Sequence, residues 1–168
     1  MPTGTLISVE QYLATSYRPD CDYVDGSIEE RNLGEWDHGK LQAAITAYFY
    51  QRRISWNISV APEQRVQVSP MRFRIPDVCI VLGEPDGQVF RSPPFICIEI
   101  LSKDDRMSQM QQRIDDYLAM GVSYVWVLDP SGPRVYVSTP AAGLHEFKGD
   151  VLRTENPSLE LPLAEVFA

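Results

Sequence analysis

The apolar run "FICIEIL", residues 95–101, constrains the fold more than any other stretch of this chain. Side chains of a strand alternate between two faces. Both faces of this run are apolar except at Glu99, which is the pattern of a central strand covered on both sides. A buried carboxylate without a partner costs on the order of several kcal/mol. We therefore predict that Glu99 is protonated, paired with a cationic side chain, or bound to a metal ion.

A second acid, Asp77, stands at the head of another apolar run, "VCIVL". Taken alone, Asp77 is typical of a residue that makes a turn hydrogen bond at a strand entry, and Glu99 is typical of a partner for a buried Arg or Lys. On two strands that we expect to be neighbours, the pair instead predicts a site for one divalent cation. Carboxylate oxygens suit Mg²⁺ or Mn²⁺, and Mg²⁺ keeps several waters, so few protein ligands are needed.

The order of predicted elements is helix, strands, helix, strands. Ser8 and Gln11 form a capping box at the start of a short helix, and an Asp25-Gly26 turn joins two short strands. Apolar periodicity predicts long helices over 35–53 and 105–121 and strands at 56–60, 63–68, 73–82, 95–101 and 123–130, with three short strands after them. We predict an α/β or α+β fold, a mixed β-sheet flanked by helices, in a single domain over residues 1–168.

Composition narrows the class of protein. The net charge of −8 argues against a broad nonspecific grip on nucleic acid, although it leaves room for a local basic groove. No apolar run is long enough to cross a bilayer, and the N-terminus lacks a secretion signal, so we predict a cytoplasmic protein without a membrane partner. Three widely spaced cysteines and two histidines indicate buried thiols rather than a zinc site.

The segments "IPDVCIV", "PPFICIEILS" and "RIDDYLAMGVSYVWVLDP" occur in this order along the chain. They are similar to motifs of the Uma-type family of putative restriction endonucleases, within the PD-(D/E)XK nuclease superfamily. "CDYVDGSIEE" resembles the family's "YELIDGE" segment, and His38 stands near the start of the first long helix. The resemblance extends over nearly the whole chain.

This resemblance implies a restriction-endonuclease-like fold and a nuclease that depends on Mg²⁺ or Mn²⁺ and hydrolyses the phosphodiester bonds of DNA. Asp77 and Glu99 are the implied metal ligands. Asp22, in place of the family's glutamate, is an implied accessory acid. His38 is either a hydrogen-bonded structural residue or a phosphate contact or proton shuttle at the edge of the site.

The lysine of this pattern is missing from both of its usual positions. Leu101 stands two residues after the second acid, where the superfamily commonly carries a lysine, and Arg113 stands where this family has a lysine in the following helix. We expect Arg113 to stabilise phosphate charge or orient water, because a guanidinium stays protonated and is a poor general base. Lys103 is the alternative substitute.

These departures leave several functions open. The chain is a nuclease, or a catalytically impaired nuclease-fold protein that serves as a binding or oligomerisation module, or a hydrolase of a smaller phosphate ester. We also predict a homodimer, because two sites related by a two-fold axis suit the cutting of two strands.

Overall fold

The computed structural model of this chain describes residues 4–32 and 34–167. The described helices are α1 (Val9–Leu13), α2 (Trp36–Gln51), α3 (Arg53–Trp56) and α4 (Met107–Met120), with a short 3₁₀ helix at Leu163–Glu165. The described strands are β1 (Asp22–Val24), β2 (Ser27–Glu29), β3 (Ile58–Pro62), β4 (Val66–Ser69), β5 (Arg72–Arg74), β6 (Val78–Leu82), β7 (Ile96–Ile100), β8 (Tyr124–Asp129), β9 (Arg134–Thr139), β10 (Ala142–Phe147), β11 (Val151–Arg153) and β12 (Glu160–Pro162).

The largest sheet has the strand order β10-β9-β8-β7-β6-β3 and is mixed. Strands β7 and β8 are parallel, and helix α4 provides the crossover connection that a parallel pair requires. The other neighbours in this sheet are antiparallel. Strand β7 has a neighbour on each side, and all five of its residues are buried. The predictions of a mixed sheet and of a central strand around Glu99 are therefore confirmed.

Helices α2 and α4 cover opposite faces of this sheet. The buried stripe of α2 packs with Ile96, Ile98 and Ile100 of β7. The buried stripe of α4 packs with Cys97 on the other face of the same strand. The two stripes consist of Leu41, Ile45 and Phe49 on α2, and of Met110, Ile114 and Tyr117 on α4. Strand alternation therefore turns Glu99 toward α4.

The predicted strand over residues 73–82 is wrong, because the structure divides it into two strands of different sheets. Strand β5 belongs to a four-stranded sheet of order β2-β1-β5-β4, and β6 belongs to the six-stranded sheet. The break falls at Pro76, which has no N–H to donate to a sheet ladder. The break places Asp77 where the chain passes from one sheet to the other.

Local predictions elsewhere agree with the structure. Gln11 N donates to Ser8 Oγ over 3.1 Å and Ser8 N donates to Gln11 Oε1 over 2.9 Å, which completes the capping box. Gly121 ends α4 with a φ of 113°, a conformation that favours glycine. The three cysteines are free and buried. Within residues 4–32 and 34–167, no helix has the length and apolar character needed to span a membrane.

Candidate active site

The two acids predicted to form a site lie side by side at one end of strands β6 and β7. Val78 pairs with Ile98 in the antiparallel ladder, so Asp77, one residue earlier, stands opposite Glu99. Asp77 Oδ2 also accepts a hydrogen bond from the backbone N of Ile100 over 2.7 Å, which fixes this carboxylate to β7. Both acids are buried.

The environment of Glu99 favours its protonated form. Burial is the main cause that raises the pKa of Glu99 to about 8, and the negative charge of Asp77 adds to it. Tyr117 Oη donates a hydrogen bond to Glu99 Oε1 over 2.6 Å. Burial, and then the charge of Glu99, also raise the pKa of Tyr117, so the phenol remains a donor. Without a bound cation, Glu99 therefore carries a proton near neutral pH.

Cationic side chains surround the cavity into which the acids face. Arg31, His38 and Arg113 line it together with Asp77 and Glu99. Asp77 Oδ1 lies 3.0 Å from Arg31 Nη2 and 3.3 Å from His38 Nε2. The hydrogen bond to Asp77 is the main cause that raises the pKa of His38. His38 thus stands at the edge of the site and contacts one of its acids.

Asp22 lies behind Arg113 and is not among the residues that line the cavity. Its Oδ2 lies 3.7 Å from Arg113 Nε and 3.2 Å from Arg74 Nη1. Its Oδ1 is buried and has no hydrogen-bond partner among the described residues. Burial raises the pKa of Asp22, while the charges of Arg113 and Arg74 lower it. Asp22 therefore contacts the site through the guanidinium of Arg113.

The positions considered for a lysine have different surroundings. Leu101 is half-buried and packs against the core on the α4 side of the sheet. Lys103 is exposed and pairs with Glu35, so the structure does not bring its ammonium to Glu99. Arg113 lines the cavity, and although burial lowers its pKa, the charges of Glu99 and Asp22 raise it above the ordinary value. Of these three, Arg113 is the cationic group at the site.

Sequence reasoning missed two arginines of this region. Arg31 follows β2 in a stretch without a motif, so no local signal pointed to it. Arg74 is buried and pairs with Asp22, Glu29 and Asp116. An arginine inside an apolar strand is the same kind of signal as Glu99, so the pattern of "FRI" could have revealed it.

The chemistry of the two acids fits a divalent cation. Over residues 4–32 and 34–167, no group of three or more His, Cys, Asp or Glu side chains is arranged to hold a metal ion. Asp77 and Glu99 nevertheless offer two oxygen donors of the kind that Mg²⁺ and Mn²⁺ prefer, and water can supply the remaining ligands. A bound cation would also offset the repulsion and burial that keep Glu99 protonated. The donor set therefore fits, and the space for it is small: the cavity measures about 10 Å³, which is near the lower limit for one water.

A mixed sheet flanked by helices, with Asp77 and Glu99 side by side at one end of β6 and β7, places this protein in the class of restriction-endonuclease-like folds. A crystal structure of a putative nuclease belonging to DUF820 from Anabaena variabilis matches it with a TM-score of 0.81 and 21% sequence identity, over 96% of this chain and 97% of that chain. The model of the Uma2 family, described as "Putative restriction endonuclease", matches residues 9–167, and the chain belongs to this family. No curated protein matches the chain.

Proposed function

We propose that this protein is a divalent-metal-dependent nuclease that hydrolyses phosphodiester bonds of DNA. The observation that carries the proposal is the position of Asp77, directly before β6, opposite Glu99 of the neighbouring β7, in one cavity with His38 and Arg113. Membership of the Uma2 family supports it. Asp77 and Glu99 would hold Mg²⁺ or Mn²⁺, which would polarise the scissile phosphate and lower the pKa of the attacking water.

The other residues of the site act by charge and position. Arg113, with its raised pKa, remains a guanidinium and stabilises the negative charge that develops on the phosphate. Asp22, 3.7 Å from Arg113 Nε, holds that guanidinium in place. Tyr117 fixes one oxygen of Glu99 and leaves the rest of the carboxyl toward the cavity. His38, on Asp77, can contact a phosphate oxygen or pass a proton.

Two measurements on the purified protein test this proposal. Mn²⁺ should raise the melting temperature of the wild type, and the substitutions Asp77→Asn and Glu99→Gln should remove this effect, while the exposed control Asp150→Asn should keep it. Supercoiled plasmid incubated with Mn²⁺ should be nicked by the wild type and by Asp150→Asn, but not by Asp77→Asn. Equal nicking by wild type and Asp77→Asn would refute the assignment, and turnover of a small phosphodiester without nicking would favour the smaller substrate.

A second function is a catalytically impaired member of the fold that serves as a binding or oligomerisation module. The observation that favours it is the hydrophobic contact of Leu101 at the superfamily's lysine position. A wild type that binds Mn²⁺ without nicking plasmid would support this function. If the missing lysine is the cause, Leu101→Lys should then gain nicking activity, whereas a folded Leu101→Lys variant that still does not nick plasmid would exclude that cause.

We also propose a homodimer in which the outer face of α2 packs against a second copy. This face, which we define by Trp36, Ala43, Ala47 and Tyr50 of α2 together with Ile54 of α3, is exposed although it is largely apolar. Trp36 is 76% exposed and Ile54 is 83% exposed. The spacings of 7, 4, 3 and 4 residues keep to one side of a helix, and the small alanines in the middle of the face allow a close approach.

An antiparallel arrangement of two copies suits the charges on this face. When Ala43 of one copy lies opposite Ala47 of the other, Asp37 lies opposite Arg53 at both ends. The wild type should therefore have twice the mass of one chain in light scattering, and Ala43→Arg should have the mass of one chain. The exposed control Ala141→Arg should remain a dimer, and a monomeric wild type would refute the interface. The cytoplasmic location remains a prediction from the sequence.

A further inference from the structure

Arg31 is a largely buried cation in the lining of the site, and it lies outside the sequence motifs. It lies in the stretch between β2 and α2, and its side chain is 12% exposed. Its Nη2 is 3.0 Å from Asp77 Oδ1, and its Nη1 is 3.7 Å from Glu63 Oε1. Although burial lowers the pKa of Arg31, the charges of Asp77 and Glu99 raise it, so the group stays charged. A charge buried to this extent requires a function or a fixed partner.

The contact involves the oxygen of Asp77 that faces the cavity. Asp77 Oδ2 is held by the backbone N of Ile100 over 2.7 Å, which leaves Oδ1 as the atom for a ligand. Arg31 donates to this Oδ1, and His38 Nε2 lies 3.3 Å from the same atom. A divalent cation at Oδ1 would stand close to the guanidinium, and two like charges a few ångströms apart in a partly buried site repel strongly. Arg31 and a cation therefore compete for one atom.

The small free space beside Asp77 Oδ1 agrees with this competition. Its volume of about 10 Å³ is near the lower limit for one water, whereas Mg²⁺ retains several of its waters when it binds a protein. A cation that binds Asp77 Oδ1 would therefore need the place that the guanidinium of Arg31 now occupies. Of the two arginines in that lining, Arg31 is the one in direct contact with Asp77, and its second acidic contact, Glu63, has a side chain that is 55% exposed.

We propose that Arg31 neutralises Asp77 in the metal-free protein, yields that oxygen to the divalent cation, and then uses its guanidinium to bind a phosphate oxygen of the substrate. This inference rests on the proposed function and adds Arg31 to it as a phosphate-binding residue. The planar guanidinium presents paired N–H donors that suit phosphate oxygens. The pairing with Asp77 thus keeps a phosphate-binding group next to the acids before the substrate arrives.

The first test is the affinity for Mn²⁺, measured by isothermal titration calorimetry without nucleic acid. Arg31→Met keeps much of the stem and removes the charge, so it should bind Mn²⁺ about tenfold more tightly or better, as expected when one hydrogen bond to a charged group no longer has to be broken. Arg31→Lys keeps the charge and should remain closer to the wild type. The exposed control Arg134→Met should equal the wild type. Circular dichroism checks that each variant is folded.

The second test is the affinity for a fluorescently labelled DNA duplex, measured by anisotropy with and without Mn²⁺. Mn²⁺ should strengthen binding by the wild type more than binding by Arg31→Met, because the variant gains no free guanidinium. An affinity of Arg31→Met for Mn²⁺ equal to or weaker than that of Arg134→Met would overturn the competition. An equal gain in DNA binding by the variant and the wild type would overturn the phosphate contact.

The variant Asp77→Asn separates a failure of this inference from a failure of the proposed function. If Asp77→Asn loses Mn²⁺ binding while Arg31→Met is unchanged, the metal site holds and only the role of Arg31 is wrong. If Asp77→Asn binds Mn²⁺ as the wild type does, the metal site itself is wrong, whatever Arg31 does.

Discussion

The buried carboxyl of Glu99 predicts an unusual dependence of stability on pH. Its pKa rises from the ordinary value of 4.5 to about 8 in the folded protein, chiefly through burial. Between these values, the folded protein holds one proton that the unfolded chain has released. The free energy of unfolding therefore falls as pH rises through this window, and Glu99 adds no further change below 4.5 or above about 8.

The size of this change in the free energy of unfolding follows from the pKa shift of Glu99. Each pKa unit corresponds to about 1.4 kcal/mol, so this single group lowers the free energy of unfolding by an amount on the order of a few kcal/mol across the window. Glu99→Gln should remove most of this dependence, because the amide resembles the protonated carboxyl in size and carries no titratable proton. At high pH the variant should be more stable than the metal-free wild type, and at low pH the two should converge.

Urea unfolding in the presence of a chelator, from about pH 4 to about pH 9, measures this effect. The matched control is Glu84→Gln at an exposed glutamate, and it should follow the wild type at every pH. Asp22 and His38 also titrate, but they are present in every variant, so the difference between wild type and Glu99→Gln isolates Glu99. Parallel curves for wild type and Glu99→Gln would refute the account of a carboxyl that is protonated because it is buried beside Asp77.

Three further predictions concern neighbours of the acids. Arg74→Met should destabilise the protein by about 3–5 kcal/mol in urea unfolding, because it leaves Asp22 buried without its closest cation. Tyr117→Phe should cost about 1–3 kcal/mol and raise the pKa of Glu99 further, because it removes the hydrogen bond to that acid; the pH profile of urea unfolding reports both effects. His38 has a raised pKa, so its contact stabilises the protein below its ordinary value of 6.5, and this contribution is lost as pH rises through the raised pKa. The stability difference between wild type and His38→Gln should therefore shrink as pH rises above 6.5 and through the raised pKa of His38.

Each of these predictions has a control or a contrary outcome. Arg72→Met removes an arginine whose side chain is 34% exposed and should cost much less than Arg74→Met. Equal losses for the two variants would contradict the assignment of Arg74 to a buried network. A Tyr117→Phe variant as stable as the wild type would mean that Glu99 has another donor. A constant difference between His38→Gln and wild type would show that the contact with Asp77 does not depend on the protonation of His38.

Much of the scaffold was predictable from the sequence because its signals are local. Alternation in "FICIEIL" indicated a central strand with Glu99 inside it, and the structure buries all of β7. The apolar stripe of α4 and its end at Gly121 follow from helical spacing and from the conformational freedom of glycine. The prediction of one strand over residues 73–82 was wrong, because the chain breaks at Pro76 and passes from one sheet to another. The stretches on both sides of Pro76 are rich in apolar residues, so the hydrophobic pattern continues through the break.

The sequence by itself determined that Glu99 stands within a buried strand and Asp77 at the head of another, because the period of a strand assigns each side chain to a face. It also indicated that Asp77 and Glu99 are neighbours, and their adjacency is confirmed, whereas their role as metal ligands stays a prediction. Only the tertiary structure decided which cations meet these acids. The contact of Arg31 with Asp77 joins residues 46 positions apart, and that of Arg74 with Asp22 joins residues 52 positions apart. Such pairs depend on how loops and sheets pack together, and no local periodicity specifies that packing.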